Sequence, residues 1–168
     1  MIKKFFIIFF IFFFNSNITF SSDNIFFLDL DFILNNSDRG KAILSKLDLI
    51  NKKNINEIKI IEQNLINENE EINKIKNVIS KEELEKKIAL LQKNIESFNT
   101  KKKELGSSFN QLREDEFNQL MSDIRPIIEI YMNENSIDFL LNKKDIFIAK
   151  SDKNITSELL NLINNNLK

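Results

Sequence analysis

Ser80–Leu112 reads SKEELEKKIALLQKNIESFNTKKKELGSSFNQL, and its apolar residues keep a strict step: Leu84, Ile88, Leu91, Ile95, Phe98, then Leu105, Phe109 and Leu112. Alternating steps of three and four average about 3.5 residues, which sets these side chains along one seam of a coiled helix. Lys102 is the one break in that seam. The stretch contains no histidine and no cysteine. It therefore describes architecture: a long helix that needs a second apolar stripe to lie against.

The second stripe lies upstream. From about Gly40 to Ile79 the residues Leu44, Leu47, Ile50, Ile58, Ile61, Leu65, Ile72, Ile75 and Ile79 form another helical series, with Glu68 at one seam position. Ser80 and Glu83 between the two fit a capping box, in which the Ser oxygen accepts from the Glu83 amide and the carboxylate reaches back. A fresh helix then starts near Lys81. The short connection favours an antiparallel hairpin with its tip near residues 77–81. No glycine or proline enforces the turn, so one continuous rod is the alternative. Arms of roughly 40 residues would reach roughly 60 Å at 1.5 Å per residue.

Downstream of Leu112 the apolar face widens through Phe117, Leu120, Met121, Ile124, Ile127, Ile128 and Tyr131, as expected where an arm enters a body. Pro126 lacks a backbone donor and should kink or restart the helix there; it is a candidate hinge, or simply a change of helix. The two chain ends supply the body. Ile25–Leu30 is an apolar run rich in strand formers. Ile137–Leu141 and Ile146–Ala149 flank the polar connection Asn142–Asp145 and read as a β-hairpin. A last amphipathic helix is expected from about Ile155 to Leu167, with Asn154 as its cap. Three strands and one helix make too small a core to stand alone, so oligomerisation is expected.

Composition removes whole classes of chemistry. With no cysteine or histidine among 168 residues, zinc clusters, thiol nucleophiles and histidine-based triads are out. Two glycines and one proline argue against a glycine-lined phosphate cradle. Asp29 and Asp31 would share a strand face if the first strand ran that far, and paired carboxylates can do acid–base work. Nothing nearby offers a third group. No catalytic residue, metal ligand or cofactor site is expected.

The first residues look like an address. Lys3 and Lys4 precede a ten-residue apolar run, Phe5–Phe14, and Thr19 and Ser21 suit the −3 and −1 positions of a cut after Ser21. The run is too short for a membrane span, which needs about 20 apolar residues. Residues 1–21 are therefore expected to be a signal peptide, and the remainder to work outside the cytoplasm. Removing the two lysines takes the basic count from 24 to 22 against 25 acids, a balance of −3. An acidic chain is a poor nucleic-acid binder, and no such partner is expected.

Both ends carry a resemblance. Ile25–Lys41, IFFLDLDFILNNSDRGK, resembles the opening strand, acidic residue (Asp29), short helix and S-x-x-G-K step (Ser37, Gly40, Lys41) of the Skp/OmpH family of periplasmic chaperones. Arg125–Asn164 is similar to that family's closing segment, with a Pro-Ile helix, an IDFLL-like strand, an IFIA-like strand and a helix start at Asn154-Ile155-Thr156 where the family often has Asp. The heptads would match any coiled coil, so the ends carry the specificity.

The resemblance implies an α+β fold: a small β-strand body, assembled as a homotrimer, from which long antiparallel α-helical hairpin arms project around a cavity. The expected division is residues 22–39 and 126–168 for the body and 40–125 for the arm. It implies an ATP-independent holdase that keeps unfolded outer-membrane β-barrel proteins from aggregating in the periplasm. A structural coiled-coil tether of the envelope is the alternative.

One departure concerns charge. Family members are often strongly basic, whereas Gly40–Ile79 carries seven lysines against six acids and Ser80–Arg125 nine basic against nine acidic residues. Charge should then steer clients, lipopolysaccharide or membranes only weakly. Apolar contacts from Ile66, Phe98 and Phe109 are the candidates for client binding, although all three suit the hairpin seam as well. Lys101–Lys103 would touch lipid headgroups or simply form a solvated face. Phe27, Phe139 and Phe147 are the candidates for the oligomeric body.

Overall fold

The computed structural model describes residues 24–167, so the stretch expected to be a signal peptide, residues 1–21, lies outside the described residues. Strand β1 (Ile25–Leu28) leads into a short helix α1 (Leu30–Asn36). Helix α2 (Asp38–Ile75) and helix α3 (Lys81–Glu134) follow, then strand β2 (Phe139–Asn142), two short 3-10 turns (Lys143–Asp145 and Ser151–Lys153) and helix α4 (Thr156–Asn166).

Each boundary has a local cause. Asp29 ends β1 and caps α1, its Oδ1 accepting from the Phe32 amide at 3.0 Å. Ser37 caps α2 by accepting from the Gly40 amide at 3.1 Å. Gly40 is required there, because a Cβ would stand 1.7 Å from the Leu34 carbonyl oxygen. Ser80 starts α3: its Oγ accepts from the Glu83 amide at 3.2 Å, and its hydroxyl donates to Glu83 Oε2 at 3.4 Å. At the far end of α3 the Ile137 amide reaches back to the Met132 carbonyl at 2.9 Å and Ser136 turns left-handed at φ 52°. That is a Schellman stop with serine where glycine is usual.

Pro126 does not restart the helix; α3 runs through it. Pro126 and Ser122 both lie on the exposed side, so the Ser122 carbonyl that loses its helical donor faces water.

The sheet differs from expectation. β1 pairs in parallel with β2, in the register Ile25 with Phe139 through Leu28 with Asn142. Parallel neighbours need a long crossover, and α1, α2 and α3 together supply it. The expected hairpin between Ile137–Leu141 and Ile146–Ala149 does not form. Asn142 Oδ1 instead accepts from the Lys144 amide at 3.4 Å and opens a 3-10 turn. Tight hairpin loops need residues at positive φ. Among the described residues only Ser136 has one outside glycine, so nothing reverses the chain at 142–145. Residues 146–149 carry no strand; Ile146 is extended, and Phe147 and Ile148 are 103% and 84% exposed.

A core forms where the ends meet the roots of the long helices. Leu28, Ile33, Ile43, Leu47, Leu120, Ile124, Ile137, Ile155, Leu159 and Ile163 bury together. The ends are tied by polar contacts too: the Asp29 amide donates to Thr156 Oγ1 at 2.8 Å, and the Thr156 amide donates to Asn154 Oδ1 at 3.0 Å. The last helix thus begins at Thr156, one residue later than expected, with Asn154 serving its first turn. A single chain therefore owns more core than three strands and a helix suggest, because the helix roots contribute Ile43, Leu47, Leu120 and Ile124 to it.

Candidate functional site

Nothing in the described residues gathers chemistry. Asp29 is a cap, and Asp31 follows it in the first turn of α1 instead of sharing a strand face. Lys143 Nζ lies 3.0 Å from Asp29 Oδ2. The Phe32 amide first, and Lys143 second, hold the Asp29 carboxyl below its ordinary value. The carboxylate is engaged in holding the body together.

The feature with functional reach is the hairpin of α2 and α3. Its antiparallel register is visible in three cross-links: Lys46 to Glu116 at 2.6 Å near the body, Glu57 to Lys101 at 3.0 Å, and Asn94 Nδ2 to Glu68 Oε2 at 3.0 Å farther out. Glu68, a polar residue at a seam position, is thereby satisfied, and such a pair fixes register at some cost in stability.

The seam is closed at both ends and open between. Ile43, Leu47, Leu120 and Ile124 are buried at the root, and Ile72 and Leu91 near the tip. Between them Ile58, Ile61, Leu65, Phe98, Leu105 and Phe109 are only half-buried. Two clefts open along this middle section. One of about 320 Å³ is lined by Ile55, Ile58, Lys59, Leu105, Gly106, Phe109 and their neighbours. The other, of about 330 Å³, is lined by Ile61, Leu65, Glu68, Asn94, Phe98 and Lys101 among others.

Apolar residues also stand outside the seam. Leu44, Ile55 and Ile66 recur every eleven residues and are all exposed, Ile66 by 47%. Eleven residues make close to three turns, so the three share one helix face. Leu49 and Ile60 repeat the spacing on a different face and are exposed as well. Of the three candidates from the sequence, Ile66 sits on this open row. Phe98 and Phe109 lie in the seam, Phe98 beside the outer cleft and Phe109 beside the inner one while touching the core. Ile55, Ile60 and Leu49 do not fall on the 3.5-residue seam, and the eleven-residue spacing is the sequence signal that marks them.

In the body, β1 and β2 turn Phe26, Leu28 and Leu140 toward the core. By alternation Ile25, Phe27, Phe139 and Leu141 occupy the other face. Phe27 is only 9% exposed, whereas Phe139 is 54% exposed.

The family model described as outer membrane protein (OmpH-like) matches residues 24–163, which spans both strands, the arm and nearly all of α4. The chain belongs to the OmpH-like family. Its fold is similar to that of an OmpH-like protein from Caulobacter crescentus CB15, described as an outer membrane chaperone. The TM-score is 0.80 over 88% of each chain, at 17% identity. No curated protein matches the chain. The OmpH-like fold is thus kept while most side chains differ, so the arm surface has to be understood from the residues this chain carries.

Those residues are not evenly charged. Over the whole arm the two signs nearly cancel, but the antiparallel register lays residues 52–62 beside about 98–108. There six lysines stand against three glutamates. The OmpH-like arm of this chain therefore has a basic belt at its half-open middle.

Proposed function

We propose that this chain is an ATP-independent holdase of the periplasm that binds unfolded outer-membrane β-barrel proteins and prevents their aggregation. The observation that carries the reading is the exposed apolar rows on a long arm that packs against its own body only at the root. An unfolded barrel strand alternates apolar and polar residues and aggregates through open strand edges. Many weak apolar contacts along helices 38 and 54 residues long can shield it without a tight pocket and without nucleotide. The description of the Caulobacter crescentus relative as an outer membrane chaperone agrees with this reading.

Assembly belongs to the same proposal. The outer sheet face exposes Ile25, Phe139 and Leu141, and Phe147 and Ile148 stand free beyond it. Burial of that surface between copies, as a homotrimer, would place three arms around one cavity. The apolar run at Phe5–Phe14 supports export as the route to the periplasm. Contact with membranes or lipopolysaccharide is secondary and confined to the basic belt.

The test is suppression of aggregation of a denatured porin-like chain diluted from urea, without ATP. A second protein lacks residues 57–103, with Glu57 and Lys101 already adjacent so that a short linker closes the gap. Protection by the full chain and none by the arm-less one is expected, with the number of copies in the assembly unchanged. Full-length protein that forms inert rods and protects nothing would point to an envelope tether.

A further inference from the structure

The two glycines of this chain pose different questions. Gly40 is explained by the Leu34 carbonyl that would meet its Cβ. Gly106 is not explained by anything in the chain. It sits in the interior of α3, has no positive φ, and a Cβ built there meets nothing within 4 Å. A glycine in an exposed helix interior costs roughly 0.8–1 kcal/mol relative to alanine. What its missing side chain leaves is space, and that space belongs to the inner cleft.

The cleft has a definite chemistry. Its apolar surface comes from Ile55, Ile58, Leu105 and Phe109, and Lys59 and Lys102 stand on opposite banks. Neither lysine forms an ion pair among the described residues, whereas Lys101 is occupied by Glu57. Asn51, Asn54 and Glu62 complete the wall, so the lining keeps a net positive charge from two lysines against one glutamate. Each Asn amide both donates and accepts, which suits an extended peptide backbone and offers little to an acyl chain. The volume, about 320 Å³, is that of a slot for one large side chain.

We propose that the Gly106 cleft is a subsite for a single large apolar side chain, aromatic by preference, of an unfolded polypeptide with acidic residues beside it. This deepens the holdase reading and rests on it. Lys59 and Lys102 select the acidic flanks, the apolar floor holds the ring, and Gly106 lets the segment approach α3 closely. The arm then does more than present a uniform greasy surface: it reads a short pattern, apolar with acid, at a fixed height above the body.

The chain contains no tryptophan, so a peptide's own tryptophan emission reports on the cleft without background. Three soluble peptides serve as probes: one with a tryptophan flanked by aspartates, one with lysines in their place, and one with serine for tryptophan. The aspartate peptide is expected to bind with a blue shift, and the other two at least several-fold more weakly. Gly106→Leu fills the slot and should weaken the aspartate peptide about tenfold, since burying one large apolar side chain is worth roughly that factor or more. Ile55→Ser, at a position already exposed, should weaken it in the same direction without touching the fold. Charge reversal with Lys59→Glu and Lys102→Glu should invert the preference between aspartate and lysine flanks, which a merely structural change would not do.

Equal binding of the aspartate peptide to wild type and to both cleft variants overturns the subsite, as does unchanged flank preference after charge reversal. Phosphatidylglycerol vesicles whose binding is lost in the Gly106→Leu protein, while peptide binding is not, would reassign the cleft to lipid. The porin-like chain is assayed in parallel. Protection by wild type with no cleft-dependent peptide binding sinks the subsite and leaves the holdase reading intact. Cleft-dependent peptide binding without protection supports the subsite and sinks the holdase reading.

Discussion

Replacing each glycine by alanine should move stability in opposite directions, and the structure sets both signs. In Gly40→Ala the new methyl meets the Leu34 carbonyl oxygen at 1.7 Å and Ser37 Oγ at 2.8 Å. The carbonyl is backbone at the end of α1, so α1 and α2 must move apart at the Ser37 cap, which is itself buried. Overpacking of that kind costs about 1–3 kcal/mol or more. Alanine's better helix propensity returns about 1 kcal/mol. Because the obstructing atom is backbone, the upper end of that cost applies, and the net expectation is a loss of about 2 kcal/mol. Gly106→Ala meets nothing within 4 Å, so the propensity gain stands unopposed at about 1 kcal/mol. For a chain of this length one kcal/mol corresponds to about 3 °C in Tm. Helical circular dichroism followed through thermal unfolding, at one fixed protein concentration, should place Gly40→Ala several degrees below wild type and Gly106→Ala a few degrees above. A Gly40→Ala protein as stable as Gly106→Ala would refute the close packing of α1 on α2, and with it the account of the Ser37–Gly40 step.

Asp29 should make the body acid-sensitive. Its folded pKa lies below the ordinary 3.8, so its stabilisation is complete above that value and is lost as pH falls through the folded one. Urea titrations from pH 6 down to pH 2 should show a stability loss that Asp29→Asn reduces, because asparagine still caps α1 but no longer titrates. Asp29→Ala should cost about 1 kcal/mol more than Asp29→Asn at pH 7. At the Schellman stop, Ser136→Gly should stabilise by about 0.5–1 kcal/mol, since it removes the cost of a side chain at φ 52°. An unchanged midpoint would argue against the left-handed residue.

The hairpin was legible because the periodicity of both arms and the Ser80–Glu83 cap between them agreed, although no glycine or proline marked the turn. The body's small motifs were legible too, though for reasons only the structure supplies. Ser37 caps while Gly40 clears the Leu34 carbonyl, and Asn154 and Thr156 link the last helix to Asp29. What could not be read was pairing. β1 and β2 stand 110 residues apart and meet in parallel only because the crossover brings them together. Strand propensity at Ile146–Ala149 was real as a need for burial, but propensity names no partner. The arm's open rows were hidden by the same logic in reverse, since a search for a 3.5-residue seam passes over residues spaced by eleven.

Phe27 and Phe147 now separate folding from assembly. Both were candidates for the oligomeric body, yet Phe27 is 9% exposed and Phe147 103% exposed. The Phe27 carbonyl also accepts from the Ile155 amide at 3.0 Å, so Phe27 lies between β2 and the start of α4. Phe27→Ser removes a buried ring and should cost about 3–5 kcal/mol, unfolding the body whether or not it is assembled. Phe147→Ser takes nothing from the single-chain core. If copies bury that ring, the variant should sediment at lower mass while its helical signal and its core-limited unfolding at high denaturant persist. Sedimentation together with denaturation of the two proteins decides the matter. A Phe147→Ser protein with undiminished mass would remove this residue from the interface and leave the outer sheet face, Ile25, Phe139 and Leu141, as the surface that must then hold the copies together.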